Sequence, residues 1–68
     1  MISNYLKEYF NNNNINQYEI EKLTGIKQSK ISLMLNGKRK ITAEELINIA
    51  IVFNMDLNKI KEIIQSPN

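Results

Sequence analysis

The chain has 68 residues, nine Lys and Arg against seven Asp and Glu for a net charge of +2, and neither Cys nor His. Disulfide frameworks, Cys/His metal sites and catalysis by thiol or imidazole are thereby excluded. No apolar run approaches the roughly 18 residues of a membrane span, and Lys7 and Glu8 interrupt the opening residues as no secretory signal would allow. The expectation is one small cytoplasmic domain over residues 1–68, with no cofactor and no membrane partner. At this length folding buries only about 60% of the unfolded chain's surface, for a stability on the order of 5 kcal/mol. Six of the acidic residues, Glu19, Glu21, Glu44, Glu45, Asp56 and Glu62, fall on helix-like stretches without clustering. Neither a metal centre nor an acid/base pair emerges, and the chain is not read as an enzyme.

In chain order the first element is a helix, with Ile2, Tyr5, Leu6 and Tyr9 recurring at helical spacing. The run Asn11–Asn14 ends it, because asparagine competes for backbone hydrogen bonds and favours turns. A second helix starts at Asn16, a good N-cap with Glu19 three residues on, and Ile15 and Ile20 form a hydrophobic staple. Ile20 and Leu23 are expected to face inward, and Gly25 stops the helix. Ile26 anchors the turn, and a third helix runs from about Gln28 to Leu35 with Ile31, Met34 and Leu35 inward. Asn36-Gly37 ends that helix, glycine being free to take the left-handed conformation. After the loop Lys38-Arg39-Lys40-Ile41, Thr42 and Glu45 make a capping box for a fourth helix that buries Leu46, Ile49, Ala50 and Phe53. Asp56 caps a fifth helix carrying Ile60, Ile63 and Ile64, which ends before Pro67.

The charge distribution says more than the net charge. Lys27, Lys30, Lys38, Arg39 and Lys40 lie in a stretch with no acidic residue, while the remainder holds four basic and seven acidic residues, a net −3. A +5 stretch in an otherwise acidic chain is what a polyanion-binding face looks like. Within it, two short helices joined by a tight glycine turn cross at a steep angle. Ile20, Ile31 and Met34 hold the pair to the core, which leaves Gln28, Ser29, Ser32 and Leu33 outward. These neutral, mostly short side chains suit the reading of base edges.

Taken together, Asn16-Gln17, Ile20, Leu23-Thr24-Gly25-Ile26, Ser29, Ile31-Ser32, Leu35-Asn36-Gly37-Lys38 and the Leu46, Ile49-Ala50, Phe53 pattern resemble the Cro/C1-type (XRE) helix-turn-helix family of phage repressors and bacterial regulators. The resemblance covers nearly the whole chain. It implies an all-α, five-helix lambda-repressor-like fold and a sequence-specific regulator of transcription, a repressor by preference, whose third helix lies in the major groove of operator DNA. It also implies base reading by Gln28, Ser29, Ser32 and Leu33, Gln28 pairing with adenine and Leu33 touching a thymine methyl. Backbone phosphate contacts are implied for Asn16 and Gln17 at the start of the second helix, for Lys27 and Lys30, and for Asn36, Lys38, Arg39 and Lys40. Two places depart from the family. Glu21 stands where a small residue is usual and is expected to lean outward. Phe10 and Leu35 stand where some relatives carry a charged pair, so an apolar contact is expected.

The fourth helix has more apolar surface than one core needs. Ile47 and Ile51 fall to the side of its buried stripe, and the fifth helix offers both Ile63 and Ile64, of which only one can point straight inward. These four residues predict a homodimer interface. A second class of function stays open on the same surface: a protein-interaction module, such as an antitoxin-like partner.

Overall fold

The computed structural model describes residues 2–65. Those residues form five α-helices and no strand: α1 (Ile2–Asn12), α2 (Gln17–Thr24), α3 (Gln28–Leu35), α4 (Ala43–Val52) and α5 (Leu57–Gln65). The expected helix order and the all-α class hold.

Local chemistry accounts for the boundaries. Asn16 accepts from the Glu19 amide through its side chain while Glu19 accepts from the Asn16 amide, and Thr42 and Glu45 repeat this reciprocal cap at α4. Asp56 accepts from the amide of Asn58 at 2.9 Å and so starts α5. The C-terminal ends of α1, α3 and α4 share one device. A residue in the left-handed region reverses the chain, and the next amide returns to a carbonyl five residues back. Gly37 (φ 71°) does this after α3, with the Lys38 amide on Leu33 O at 2.9 Å. Asn14 (φ 56°) and Asn54 (φ 51°) do it after α1 and α4, returning Ile15 to Phe10 O and Met55 to Ala50 O. Asparagine tolerates this conformation better than other side chains. The asparagine run therefore does end α1, but only after Asn12, and Asn14 has a defined job.

The core is a single cluster that includes Leu6, Phe10, Ile20, Ile26, Ile31, Met34, Ile49 and Ile60, with Leu35 and Leu46 at its edge. Helix α1 packs on α3 and α5, and α2 packs on α3 and α4. Phe10 meets Tyr9 and Phe53 edge to face, with ring centroids 5.5 and 5.2 Å apart. Phe10 and Leu35, expected to make an apolar contact, are both buried in the cluster.

Two inward assignments need correction. Leu23 is 55% exposed. The side of α2 that turns inward carries Ile20 and Thr24 instead, because Asn48 of α4 donates to Thr24 O at 2.9 Å and holds that edge of the helix against α4. Phe53 lies just past the end of α4, half-buried against Phe10, rather than inside the helical stripe. Glu21, expected to lean outward, is half-buried, and no buried polar side-chain atom lacks a partner among the described residues.

Candidate nucleic-acid interface

The turn between α2 and α3 sets the geometry. Gly25 takes φ 80°, its amide returns to Glu21 O at 2.8 Å, and Ile26 drops into the core. The Thr24 hydroxyl donates to Ile20 O and accepts from the Ile26 amide, so the turn is fastened on both sides. Lys27 then holds the N-cap position of α3 with extended backbone and makes no side-chain capping bond.

Helix α3 divides cleanly. Ile31, Met34 and Leu35 are buried. Gln28, Ser32, Ser29 and Leu33 follow one another around the opposite side within an arc of about 140° at 100° per residue. Gln28 and Ser29 are exposed, Ser32 is half-buried and Leu33 is 44% exposed. Lys30 is exposed at the margin of this arc beside Leu33. The four residues read from the sequence as base contacts thus share one uncharged face, with a lysine at its border.

Of the eight residues read as phosphate contacts, Lys27 and Lys30 lie at the N-cap and on the exposed side of α3 itself, and the other six fall into two groups around it. On one side, Asn16, Gln17 and Asn36 line a cleft of about 250 Å³ between the ends of α1, α2 and α3. Lys7 of α1 enters the same cleft, and its ammonium donates to Asn36 Oδ1 at 3.4 Å, while Asn36 Nδ2 donates to Ser32 O at 2.9 Å. Lys7 was not among the expected contacts. Only the crossing of α1 over α3 brings it there, and no local spacing announces that. The Asn16 side-chain oxygen is committed to its cap, so Nδ2 is the group it offers outward.

The second group is the loop after α3. Lys38 and Lys40 are exposed, but Arg39 between them is half-buried. Its Nη1 donates to Glu45 Oε1 at 3.0 Å and approaches Lys40 O at 3.3 Å. That same carboxylate oxygen accepts from the Thr42 amide in the α4 cap. The hydrogen bond from Arg39 and then that from the Thr42 backbone hold the Glu45 carboxyl at about 2, below its ordinary 4.5.

A group whose folded pKa is depressed contributes stability above its unfolded pKa and loses it as pH falls through the folded value. The Glu45 contribution should therefore be complete above about pH 4.5 and disappear toward about pH 2. Its size should be on the order of 1 kcal/mol, because water reaches the pair and screens it. Urea midpoints measured across this window should fall for the native chain and fall less for Glu45→Gln. Parallel curves would show that the pair contributes nothing.

A comparison with known families bears on this geometry. The family model described as Helix-turn-helix matches residues 6–60, from the middle of α1 to the buried Ile60 of α5. The chain belongs to the Cro/C1-type helix-turn-helix family. It is accordingly a helix-turn-helix DNA-binding regulator of transcription. No curated protein and no solved structure gives a significant match to the chain. No helix among the described residues is long and apolar enough to cross a membrane. The matched stretch contains the whole α2–α3 unit and the basic loop, so the helix-turn-helix assignment and the face described above concern the same residues.

Proposed function

We propose that this helix-turn-helix protein is a repressor, a binding protein and not an enzyme, that recognises a specific operator in the cytoplasm by laying α3 in the major groove. The observation that carries the reading is the composition of the exposed arc of α3. Gln28, Ser29, Ser32 and Leu33 give it hydrogen-bonding groups and one apolar contact without charge, inside a stretch from Lys27 to Lys40 that holds five cations and no anion. A solvated helix face that served only solubility would more often carry Glu and Lys. The neutral groups discriminate base edges and the surrounding cations supply sequence-independent affinity. Asn16, Gln17, Lys27, Lys30, Asn36, Lys38 and Lys40 hold phosphates, with Arg39 in the same loop.

Selection of bound duplexes from a random pool, followed by titration of the selected site and of unrelated DNA, tests the reading. A defined site bound far more tightly than random DNA is expected; equal affinity for both would refute it. On the selected site, Gln28→Ala should cost roughly 1–3 kcal/mol, with little change on random DNA. Equal losses on the two DNAs would mean that Gln28 only positions the protein.

The apolar side of α4 and α5 favours a homodimer on a palindromic operator. Ile47 and Ile64, 52% and 56% exposed, line a groove of about 560 Å³ together with Ile41 and Leu57. Ile63 is half-buried, and Ile51, 69% exposed, lies outside the groove on the flank of α4. Several exposed apolar side chains gathered at one place mark a contact surface rather than ordinary surface scatter. A two-fold dimer through this surface would set two copies of α3 about 34 Å apart along the duplex. Sedimentation with and without a palindromic site should show two protomers per duplex. One protomer per duplex at saturating protein would assign the groove to a different protein partner, the antitoxin-like alternative.

A further inference from the structure

The loop between α3 and α4 is tied down at several points. The Gly37 amide returns to Met34 O at 3.2 Å and the Lys38 amide to Leu33 O at 2.9 Å, which fixes its beginning to α3. On the other flank α1 is close: a Cβ built on Gly37 would stand 3.6 Å from Ser3 Oγ. Ile41 packs against the core at the loop's far end. Between these anchors, Lys38 and Lys40 point into solvent while Arg39 turns back to Glu45. Glu45 is exposed over only 17% of its side chain, against 30% for Arg39, so the pair sits partly sheltered where the loop meets α4.

We infer that Glu45 is a positioning residue for DNA binding: through Arg39 it holds the loop so that Lys38 and Lys40 are presented together to the phosphate backbone. The inference rests on the DNA-binding reading above and divides the three cations of the loop into two contacts and one anchor. An Arg side chain has several rotatable bonds, and an unanchored loop must be ordered when DNA binds, at a cost in affinity. Anchoring through Glu45 meets that cost during folding, before DNA arrives. Simple charge arithmetic gives the opposite expectation. An anion beside a basic loop opposes a polyanion, so its removal alone should tighten binding. The sign of the effect therefore separates positioning from mere proximity.

The test uses Glu45→Gln, Arg39→Met and the double variant in the full chain. Glutamine still serves as the third residue of a capping box, so the start of α4 is retained. Affinity is measured over a range of salt on selected and random duplexes, and amide hydrogen exchange of residues 37–41 is measured in the free protein. Either single change should weaken binding about threefold to tenfold on every sequence, the scale of ordering one or two side chains, with the salt slope unchanged. The double variant should be no worse than either single one, and exchange in the loop should quicken in all three. Binding by Glu45→Gln as tight as the native chain's, or tighter, overturns the inference. So does a salt slope lowered by about 0.9 in Arg39→Met, which would make Arg39 itself a phosphate contact. If the native chain shows no salt-dependent DNA binding, the DNA reading fails and the inference falls with it. Unchanged exchange in the loop with normal DNA binding defeats the inference alone.

Discussion

Phe10→Ala should remove about 3–5 kcal/mol of stability, the cost of truncating a fully buried aromatic ring. The ring is 2% exposed and meets both Tyr9 and Phe53 edge to face, so it joins α1 to the chain leaving α4. The Tyr9 hydroxyl reaches Phe53 O at 3.4 Å across the same junction. A domain of this size has on the order of 5 kcal/mol in total, so about 0–2 kcal/mol should remain, leaving the variant marginally stable, with a readily detected unfolded fraction at room temperature and weakened DNA binding. Urea titration followed by helical circular dichroism measures this directly. Phe10→Leu, which keeps most of the volume, should remain folded with a reduced midpoint. A cooperative, near-native transition for Phe10→Ala would show that the site collapses around the cavity and that the junction is not needed.

The Lys38→Ala/Lys40→Ala double variant should weaken binding to every sequence and flatten its salt dependence. Each lost phosphate contact lowers the slope of log K against log salt by about 0.9, so the pair should lower it by about 1.8. Both side chains are exposed, and neither makes a hydrogen bond or ion pair within the described structure, so their removal should leave the folded state nearly untouched. Preference for the selected site over random DNA should survive, because these cations read no base. An unchanged slope in fluorescence-anisotropy titrations would refute phosphate binding by the loop. A large loss confined to the selected site would point instead to base contacts.

Gln28→Ala should show the complementary pattern, a loss on the selected site alone. The contrast between the two variants separates recognition from affinity more sharply than either result does.

The sequence by itself determined what depends on near neighbours. Asn16 with Glu19 and Thr42 with Glu45 specify two helix starts, because a reciprocal cap needs only residues three apart. Gly25 and Gly37 specify two helix ends, because few other residues accept the left-handed backbone there. The exposed arc of α3 follows from the 3.6-residue period once Ile31, Met34 and Leu35 are taken as buried. What tertiary structure decided is everything that depends on how helices cross. Leu23 has the spacing of a core residue, yet the Asn48–Thr24 contact turns the other edge of α2 inward. Lys7 reaches Asn36 only because α1 passes over the end of α3. Leu57, Ile41, Ile47 and Ile64 share one groove, and Ile51 stays out of it, through the packing of α4 and α5. Arg39 reads as a third free cation in a basic run until the fold brings Glu45, six residues on, within 3.0 Å of it. Spacing along one helix fixes which side chains share a face, but the relative placement of helices is set by ridges, grooves and polar contacts that no single helix contains.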